Sequence, residues 1–118
     1  MSSDVRASCR FYERLGFVTG FQDDPAEPKY AGVVRDGVEI HLQWQSKDQF
    51  SHSLDRPTYR FLVRDVDALY ADFQSRGVIT EKTTGQGPWR TPGKTPWGTR
   101  EFHLQDPDGN GLHFYRAL

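Results

Sequence analysis

The sequence predicts an α+β fold built from two β-α-β-β-β modules, the first of which lacks its opening strand. The first observation behind this prediction is an internal repeat: Ser3–Phe17 aligns with Arg64–Val78 at a constant offset of 61 residues, with four identities in fifteen positions. The identical pairs are Asp4 with Asp65, Val5 with Val66, Ala7 with Ala68 and Gly16 with Gly77. Such self-similarity is typical of a duplicated supersecondary unit.

The second observation is what precedes each copy of the repeat. A strand-like run, Thr58–Arg64, comes before the second copy, whereas only residues 1–3 come before the first copy. At 118 residues we expect a single domain. Within it, module one spans residues 1–50 and module two spans residues 57–118.

Both repeats begin with a predicted helix whose ends are marked by the sequence. Ser3 or Asp4 is suited to cap the first helix and Asp65 the second, since short polar side chains accept hydrogen bonds from the first free N–H groups. Gly16 and Gly77 are suited to end them in the left-handed conformation. Apolar residues recur at helical spacing between these limits.

The remaining regular structure is predicted to be strands, because apolar and polar residues alternate there with period two. The predicted strands are Phe17–Gln22, Tyr30–Arg35, Val38–Gln45, Thr58–Arg64, Val78–Lys82, Thr99–Gln105 and Leu112–Arg116.

Alternation also assigns the side chains of these strands to two faces of each sheet. The apolar face, expected to pack on the helices, carries Val38, Ile40, Leu42, Trp44, Tyr59, Phe61, Val63, Phe102, Leu104, Leu112 and Phe114. The other face carries Glu39, His41, Gln43, Gln45, Thr58, Arg60, Leu62, Glu101, His103, Gln105, His113 and Tyr115. This second face is either the wall of a ligand site or simply a solvated side of an antiparallel sheet.

Two connections carry further predictions. Residues 106–111 (DPDGNG) have the composition of a tight turn between the last two strands. Residues 81–98 form a long connection that contains Trp89 and Trp97, and we expect a flap whose tryptophans either anchor it or offer flat surfaces to a ligand.

Charge and composition exclude several functions. A net charge of -1 is not the basic surface that a nucleic-acid or anionic-membrane binder needs. The sequence has no long apolar run and no signal-like segment, so we expect a cytoplasmic protein. The single cysteine, Cys9, is expected to be a small buried hydrophobe.

Four segments resemble the vicinal oxygen chelate superfamily, which groups glyoxalases, extradiol dioxygenases, fosfomycin-resistance enzymes and bleomycin-resistance proteins. They are FYERLGF, RDGVEIHL, VRDVDALYADFQSRGV and PWGTREFHLQDPDGNGLHFY, in order over nearly the whole chain. The resemblance implies paired β-α-β-β-β modules that curl around a shared cleft. It also implies that the cleft is commonly completed in a homodimer.

The resemblance places candidate metal ligands at Glu39 and His113, on the fourth strand of each module. Its first-strand position in module two falls near Thr58, a poor ligand for divalent metals, and the counterpart in module one lies in the missing strand. His41 is a possible third ligand. Because three protein ligands are usual for a catalytic metal, we expect no metal cofactor; the alternative is a site for Zn, Fe, Mn or Ni.

The bleomycin-resistance branch of the superfamily, which lacks the metal set, agrees better with these residues. It implies a binding protein that sequesters a bleomycin-type antibiotic without chemistry, with Trp97 at the position of the branch's tryptophan. Acidity near a cationic ligand would come from Glu39, Glu101, Asp106 or Asp108. The expected ligand-binding residues are Glu39, His41, Arg60, Trp97, His103, His113 and Tyr115. A metal-dependent glyoxalase- or dioxygenase-type enzyme is the alternative function, and a degenerate module without a ligand is a third possibility.

Overall fold

The computed structural model describes residues 1–46 and 56–118. Two compact units divide the chain, residues 1–55 and 56–118, and each is described separately. The predicted end of module one, residues 47–50, lies outside the described residues. Among the described residues, no helix combines the length and the apolar character needed to cross a bilayer.

Unit one begins with helix α1, Val5–Arg14. Asp4 caps it, as predicted, by accepting a hydrogen bond from the backbone N–H of Ala7 at 3.1 Å. The chain leaves the helix through Gly16, which has the positive φ of 88° that the repeat predicted. Cys9 is buried on the inner face of α1, which confirms its predicted role as a core residue.

Three antiparallel strands follow α1 and form one sheet in the order β1-β2-β3: β1 is Val18–Gln22, β2 is Tyr30–Arg35 and β3 is Val38–Gln43. A two-residue turn with φ above zero at both Asp36 and Gly37 connects β2 to β3. Such turns suit the right-handed twist of a hairpin.

In unit one, a single residue lies at the position predicted for a first strand. Ser2 forms an isolated parallel bridge with Trp44, beyond the end of β3. Its backbone N–H donates to Gln43 O at 2.8 Å, and its carbonyl accepts from Gln45 N at 2.8 Å. Ser2 therefore marks the place where module two has a complete strand.

Unit two supplies that strand as β4, Thr58–Leu62, followed by helix α2, Val66–Ser75. The remaining elements are α3, Glu81–Thr84; a 3₁₀ turn, Pro88–Arg90; β5, Gly93–Lys94; β6, Thr99–Gln105; and β7, Gly111–Ala117. The sheet order is β4-β7-β6-β5, with β4 parallel to β7 and the other pairs antiparallel. Since Ser2 lies beside β3, unit one has the same order, which confirms the duplicated α+β fold.

The second helix has the same end signals as the first. Asp65 caps α2 by accepting from Ala68 N at 3.0 Å, and Gly77 follows the helix with φ of 70°. Phe73 on this helix packs against the rings of Phe102 and Phe114 on β6 and β7. These contacts fix the buried side of the second sheet.

The predicted strand Val78–Lys82 is wrong. Thr80 instead starts the short helix α3, and its hydroxyl accepts from Thr83 N while the Thr83 hydroxyl accepts from Thr80 N. This reciprocal pair is a capping box, and it gives the backbone an alternative to a strand. At the edge of the sheet opposite β4 lies β5, which is only two residues long, and the predicted flap contains α3, the 3₁₀ turn and β5.

The predicted assignment of side chains to the buried face is correct on the central strands and wrong for some residues of the edge strands. Phe102, Leu104, Leu112 and Phe114 are buried, as predicted. Tyr59, Val38 and Trp44 were predicted to be in the core but are 46%, 40% and 42% exposed. For Tyr59 the reason is position, since β4 is an edge strand and α2 packs across β6 and β7.

The turn between β6 and β7 is as predicted and is held by one side chain. The Asp106 carboxylate accepts hydrogen bonds from Asp108 N and Asn110 N at 2.9 Å each, and from Asn110 Nδ2 at 2.7 Å. Gly109 supplies the positive φ, 82°. Asp106 is buried, so its carboxylate serves the turn, and burial raises its pKa.

Candidate functional site

Strand register in unit two builds a polar row across three neighbouring strands. Arg60 on β4 lies opposite His113 on β7, and His113 lies opposite His103 on β6. All three side chains point away from the face that carries Phe102 and Phe114. The row is the floor of the candidate site.

Glu101 lies on the same face of β6, two residues before His103, and is fully buried. The Arg60 guanidinium reaches over β7 and donates from Nη2 to Glu101 Oε2 at 2.9 Å. The same guanidinium lies over the ring of Tyr115, 4.4 Å from its centroid. The Arg60 guanidinium is therefore held by its ion pair with Glu101 and by its contact with the Tyr115 ring.

The two histidines of the floor are stacked. The ring centroids of His103 and His113 are 3.4 Å apart and the planes differ by only 3°. Burial lowers the pKa of His113 to about 4, with a further contribution from neighbouring His103. The pKa of His103 is lowered as well, first by burial, so both rings are neutral at pH 7 and retain a nitrogen lone pair.

Two buried polar atoms of this cluster have no hydrogen-bond partner among the described residues. They are Glu101 Oε1 and His103 Nε2, which lie 3.6 Å apart. An unsatisfied buried polar atom costs on the order of 1–3 kcal/mol, so native proteins seldom leave two side by side. The two atoms face each other slightly beyond hydrogen-bond distance, and a group bound between them would complete the hydrogen bonding or coordination of both.

The cluster also contains a potential set of metal ligands. One donor atom each from Glu101, His103 and His113 lie within 4.8 Å of one another. The positions implied by the superfamily fit a metal less well, because Thr58 offers only a hydroxyl, which lies against the backbone of Gly111. Within unit two, His113 is the one member of the superfamily set with a strong metal-binding group.

Two tryptophans form a wall beside the floor. The Trp89 ring lies 5.6 Å from that of His103, and Trp97 lies 5.1 Å from Trp89. Trp89 is fixed by a hydrogen bond from Nε1 to Lys94 O and by close contact with Gly93. Trp97 is 56% exposed and offers a free aromatic surface at the outer end of this pair.

A second, smaller cluster lies on the sheet of unit one. His41 contacts Glu39 through Nε2 at 3.0 Å, and the Tyr30 hydroxyl through Nδ1. The ring of Phe21 stacks on Tyr30 with centroids 5.6 Å apart and meets His41 edge to face. The Glu39 and His41 side chains are both about half exposed, so this cluster is far wetter than the one in unit two.

The structure thus brings together four of the predicted ligand-binding residues: Arg60, His103, His113 and Tyr115. Trp97 reaches them only through Trp89, and Glu39 and His41 form their own cluster in unit one. Glu101, predicted as a source of acidity near the ligand, and Trp89, predicted as an anchor or a ligand surface, both lie at the centre of the site, although neither was among the seven predicted ligand-binding residues. Strand alternation had already placed Glu101 on the correct face, but its complete burial and its pairing with Arg60 are not visible in the sequence.

Comparison with known proteins agrees with this geometry. Residues 1–114 match the family described as the Glyoxalase/Bleomycin resistance protein/Dioxygenase superfamily. A bleomycin resistance protein of Geobacillus stearothermophilus is 27% identical over an alignment of 131 positions that covers 98% of this chain and 90% of that protein. A bleomycin resistance protein of Staphylococcus aureus gives the same values.

Solved structures show the same architecture. A bleomycin resistance determinant encoded on the transposon Tn5 superposes with a TM-score of 0.76 at 26% identity, covering 98% of this chain and 91% of that one. A bleomycin-binding protein complexed with bleomycin superposes with a TM-score of 0.78 at 24% identity, covering 99% and 92%. Together with the match over residues 1–114, the duplicated β-α-β-β-β architecture shows that this chain belongs to the Glyoxalase/Bleomycin resistance protein/Dioxygenase superfamily.

Proposed function

We propose that this protein binds a bleomycin-type antibiotic and confers resistance by sequestering it unchanged. The observation that carries the proposal is the floor of Glu101, His103 and His113, in which two buried polar atoms lack partners beside the Trp89–Trp97 wall. The names of the relatives at 26–27% identity support the choice of ligand.

Each part of the site has a distinct role in this proposal. The exposed face of Trp97 stacks on a flat part of the drug, and the aromatic area supplies most of the affinity. Glu101 Oε1 and His103 Nε2 take up polar groups of the drug, which fixes its orientation. Because an apolar wall and a polar floor meet here, the proposed ligand is flat and carries hydrogen-bonding or cationic groups.

We further propose that the protein acts as a homodimer in the cytoplasm. The support for a dimer is the edge of β3, which among the described residues is covered only at its end, by Ser2, whereas β4 covers the equivalent edge of β7. Free backbone N–H and C=O groups on a sheet edge favour pairing with another chain. The single cysteine, which is buried, agrees with a reducing compartment.

The proposal is tested by titrating the purified protein with bleomycin. We expect tryptophan fluorescence to be quenched, with saturable binding in isothermal calorimetry and a rise in melting temperature. Mass spectrometry of the drug recovered after denaturing the complex should return its original mass. Absence of saturable binding would contradict the proposed ligand, and a changed drug mass would contradict sequestration.

An enzyme of the glyoxalase or dioxygenase type is the second candidate, favoured by one observation, the donor set of Glu101, His103 and His113. It ranks below sequestration because the ligand positions implied by the superfamily are incomplete at Thr58. Loading with Zn²⁺, Fe²⁺, Mn²⁺ or Ni²⁺, followed by assays for thiol-adduct isomerisation and ring cleavage of catechols, distinguishes the two functions.

A further inference from the structure

We infer that Glu101, His103 and His113 form a binding site for a divalent transition-metal ion within module two. This inference does not rest on the proposed drug binding, but it assigns Glu101 Oε1 and His103 Nε2 to a metal ion, so the ion and the drug would compete for these two atoms. It also differs from the ligand positions implied by the superfamily, because two of its three residues lie on β6 and all three lie in one module.

The donor set has the right chemistry. Two imidazoles and one carboxylate are the protein ligands of many zinc and non-haem iron sites. In this protein, the three donor atoms lie within 4.8 Å of one another.

Burial supplies a second, independent reason. Glu101 is fully buried, yet its Oε1 has no hydrogen-bond partner among the described residues, and neither does the neighbouring His103 Nε2. A bound ion would satisfy both atoms at once. A carboxylate oxygen and an imidazole nitrogen 3.6 Å apart are close enough to share one ion at ordinary ligand distances of about 2.0–2.2 Å.

Arg60 orients the carboxylate of the inferred site. It holds Glu101 Oε2 at 2.9 Å and leaves Oε1 directed to the histidines, as an outer-shell partner orients a ligating carboxylate. Its Nη1 also lies 3.4 Å from His113 Nδ1, and its positive charge weakens the attraction of the site for every cation, so the preference among ions comes from the two imidazoles. We therefore expect Zn²⁺ and Ni²⁺, which bind imidazole well, and not Mg²⁺ or Ca²⁺.

The stacking of the two rings predicts a structural signature of binding. The planes of His103 and His113 are parallel to within 3° at a separation of 3.4 Å, so in-plane lone pairs on the two rings do not converge on one point. At least one ring must rotate to bind the same ion. Metal binding should therefore break the stack and change the environment of both rings.

The test is calorimetric titration of untagged protein with ZnCl2 and NiCl2, without drug. We expect one ion per chain with micromolar or tighter affinity, and no binding of MgCl2 or CaCl2. His103→Gln should weaken zinc binding by at least about tenfold. The control is Asp67→Asn, which removes an exposed carboxylate of unit two outside the cluster and should leave the zinc affinity unchanged.

The superfamily set provides the contrasting outcome. If Glu39→Gln abolishes zinc binding while His103→Gln does not, the ion occupies the superfamily position and the inferred site is wrong. Absence of zinc and nickel binding to wild-type protein overturns it equally.

A second measurement avoids variants that fail to fold. Zinc added to ¹⁵N-labelled wild-type protein should shift the ring nitrogens of His103 and His113 by NMR and leave those of His41 in place. Unshifted His103 and His113 signals in the presence of bound zinc would overturn the inference.

Discussion

Arg60 on β4 and Glu101 on β6 form an ion pair that passes over the strand between them. The guanidinium Nη2 lies 2.9 Å from Glu101 Oε2, and the Glu101 side chain is completely buried while that of Arg60 is partly exposed. This pair ties the edge strand of module two to its centre and positions the carboxylate at the floor of the site. Loss of the Arg60 side chain would leave the buried Glu101 carboxylate without its positive partner.

Arg60→Met should therefore destabilise the protein by about 2 kcal/mol, below the range for fully buried pairs because Arg60 is partly exposed. The comparison is Arg100→Met, which breaks a bidentate pair with exposed Asp67 and should cost much less. Urea denaturation of both variants measures the difference. Equal losses would show that burial of Glu101 does not set the energy of the pair.

Trp97→Ala should weaken bleomycin binding by about 1–3 kcal/mol with little loss of fold stability, because the residue is exposed and its contribution is stacking area. Trp44→Ala removes an equally large ring from unit one, where it lies against Lys29, and should leave drug affinity unchanged. Calorimetry and thermal melting give the two readouts. A large loss of stability with unchanged affinity would assign Trp97 to the fold and not to the site.

Gly32→Ala should displace Phe21 in unit one, because an added Cβ would lie 2.3 Å from the Phe21 ring. The stacking of Phe21 on Tyr30 is then lost, at a cost of about 1 kcal/mol. Gly20→Ala on the neighbouring strand meets only ordinary contacts at 3.7 Å and should cost less. In a Phe21→Ala background the effect of Gly32→Ala should largely disappear in thermal melting, and its persistence would contradict this explanation.

Asp106→Ala should cost about 2 kcal/mol, because the buried carboxylate accepts three hydrogen bonds that hold the turn between β6 and β7. Asp23→Ala is a matched comparison, since Asp23 also accepts three hydrogen bonds, all of them from backbone N–H groups, but is exposed to water. Its loss should be smaller because water replaces the carboxylate. Chemical denaturation of both variants tests the difference, and an equal cost would contradict it.

The proposed homodimer is tested by sedimentation equilibrium at micromolar protein concentration. We expect the mass of two chains, since the edge of β3 is largely uncovered within the described part of unit one. Glu39→Pro removes a backbone N–H that points away from β2 on that edge and should shift the equilibrium toward monomer. A wild-type monomer would contradict the proposal.

Local features of this chain were predictable from its sequence. The repeat identified both capping residues, Asp4 and Asp65, and both helix-ending glycines, because capping and positive φ depend on a few adjacent residues. Period-two alternation assigned the faces of β6 and β7 correctly, because these strands are central and one face must be buried. It thereby placed His103 and His113 on the floor.

Tertiary structure decided what depends on non-local contacts. The exposure of Tyr59 follows from the place of β4 at the sheet edge, which no local pattern specifies. Buried Glu101 is paired with Arg60, 41 residues earlier in the chain, because the guanidinium reaches over β7. The contact of Trp89 with His103 requires the 3₁₀ turn to lie beside β6. Strand period fixes the face on which a side chain lies, but only register and packing fix which side chains meet there.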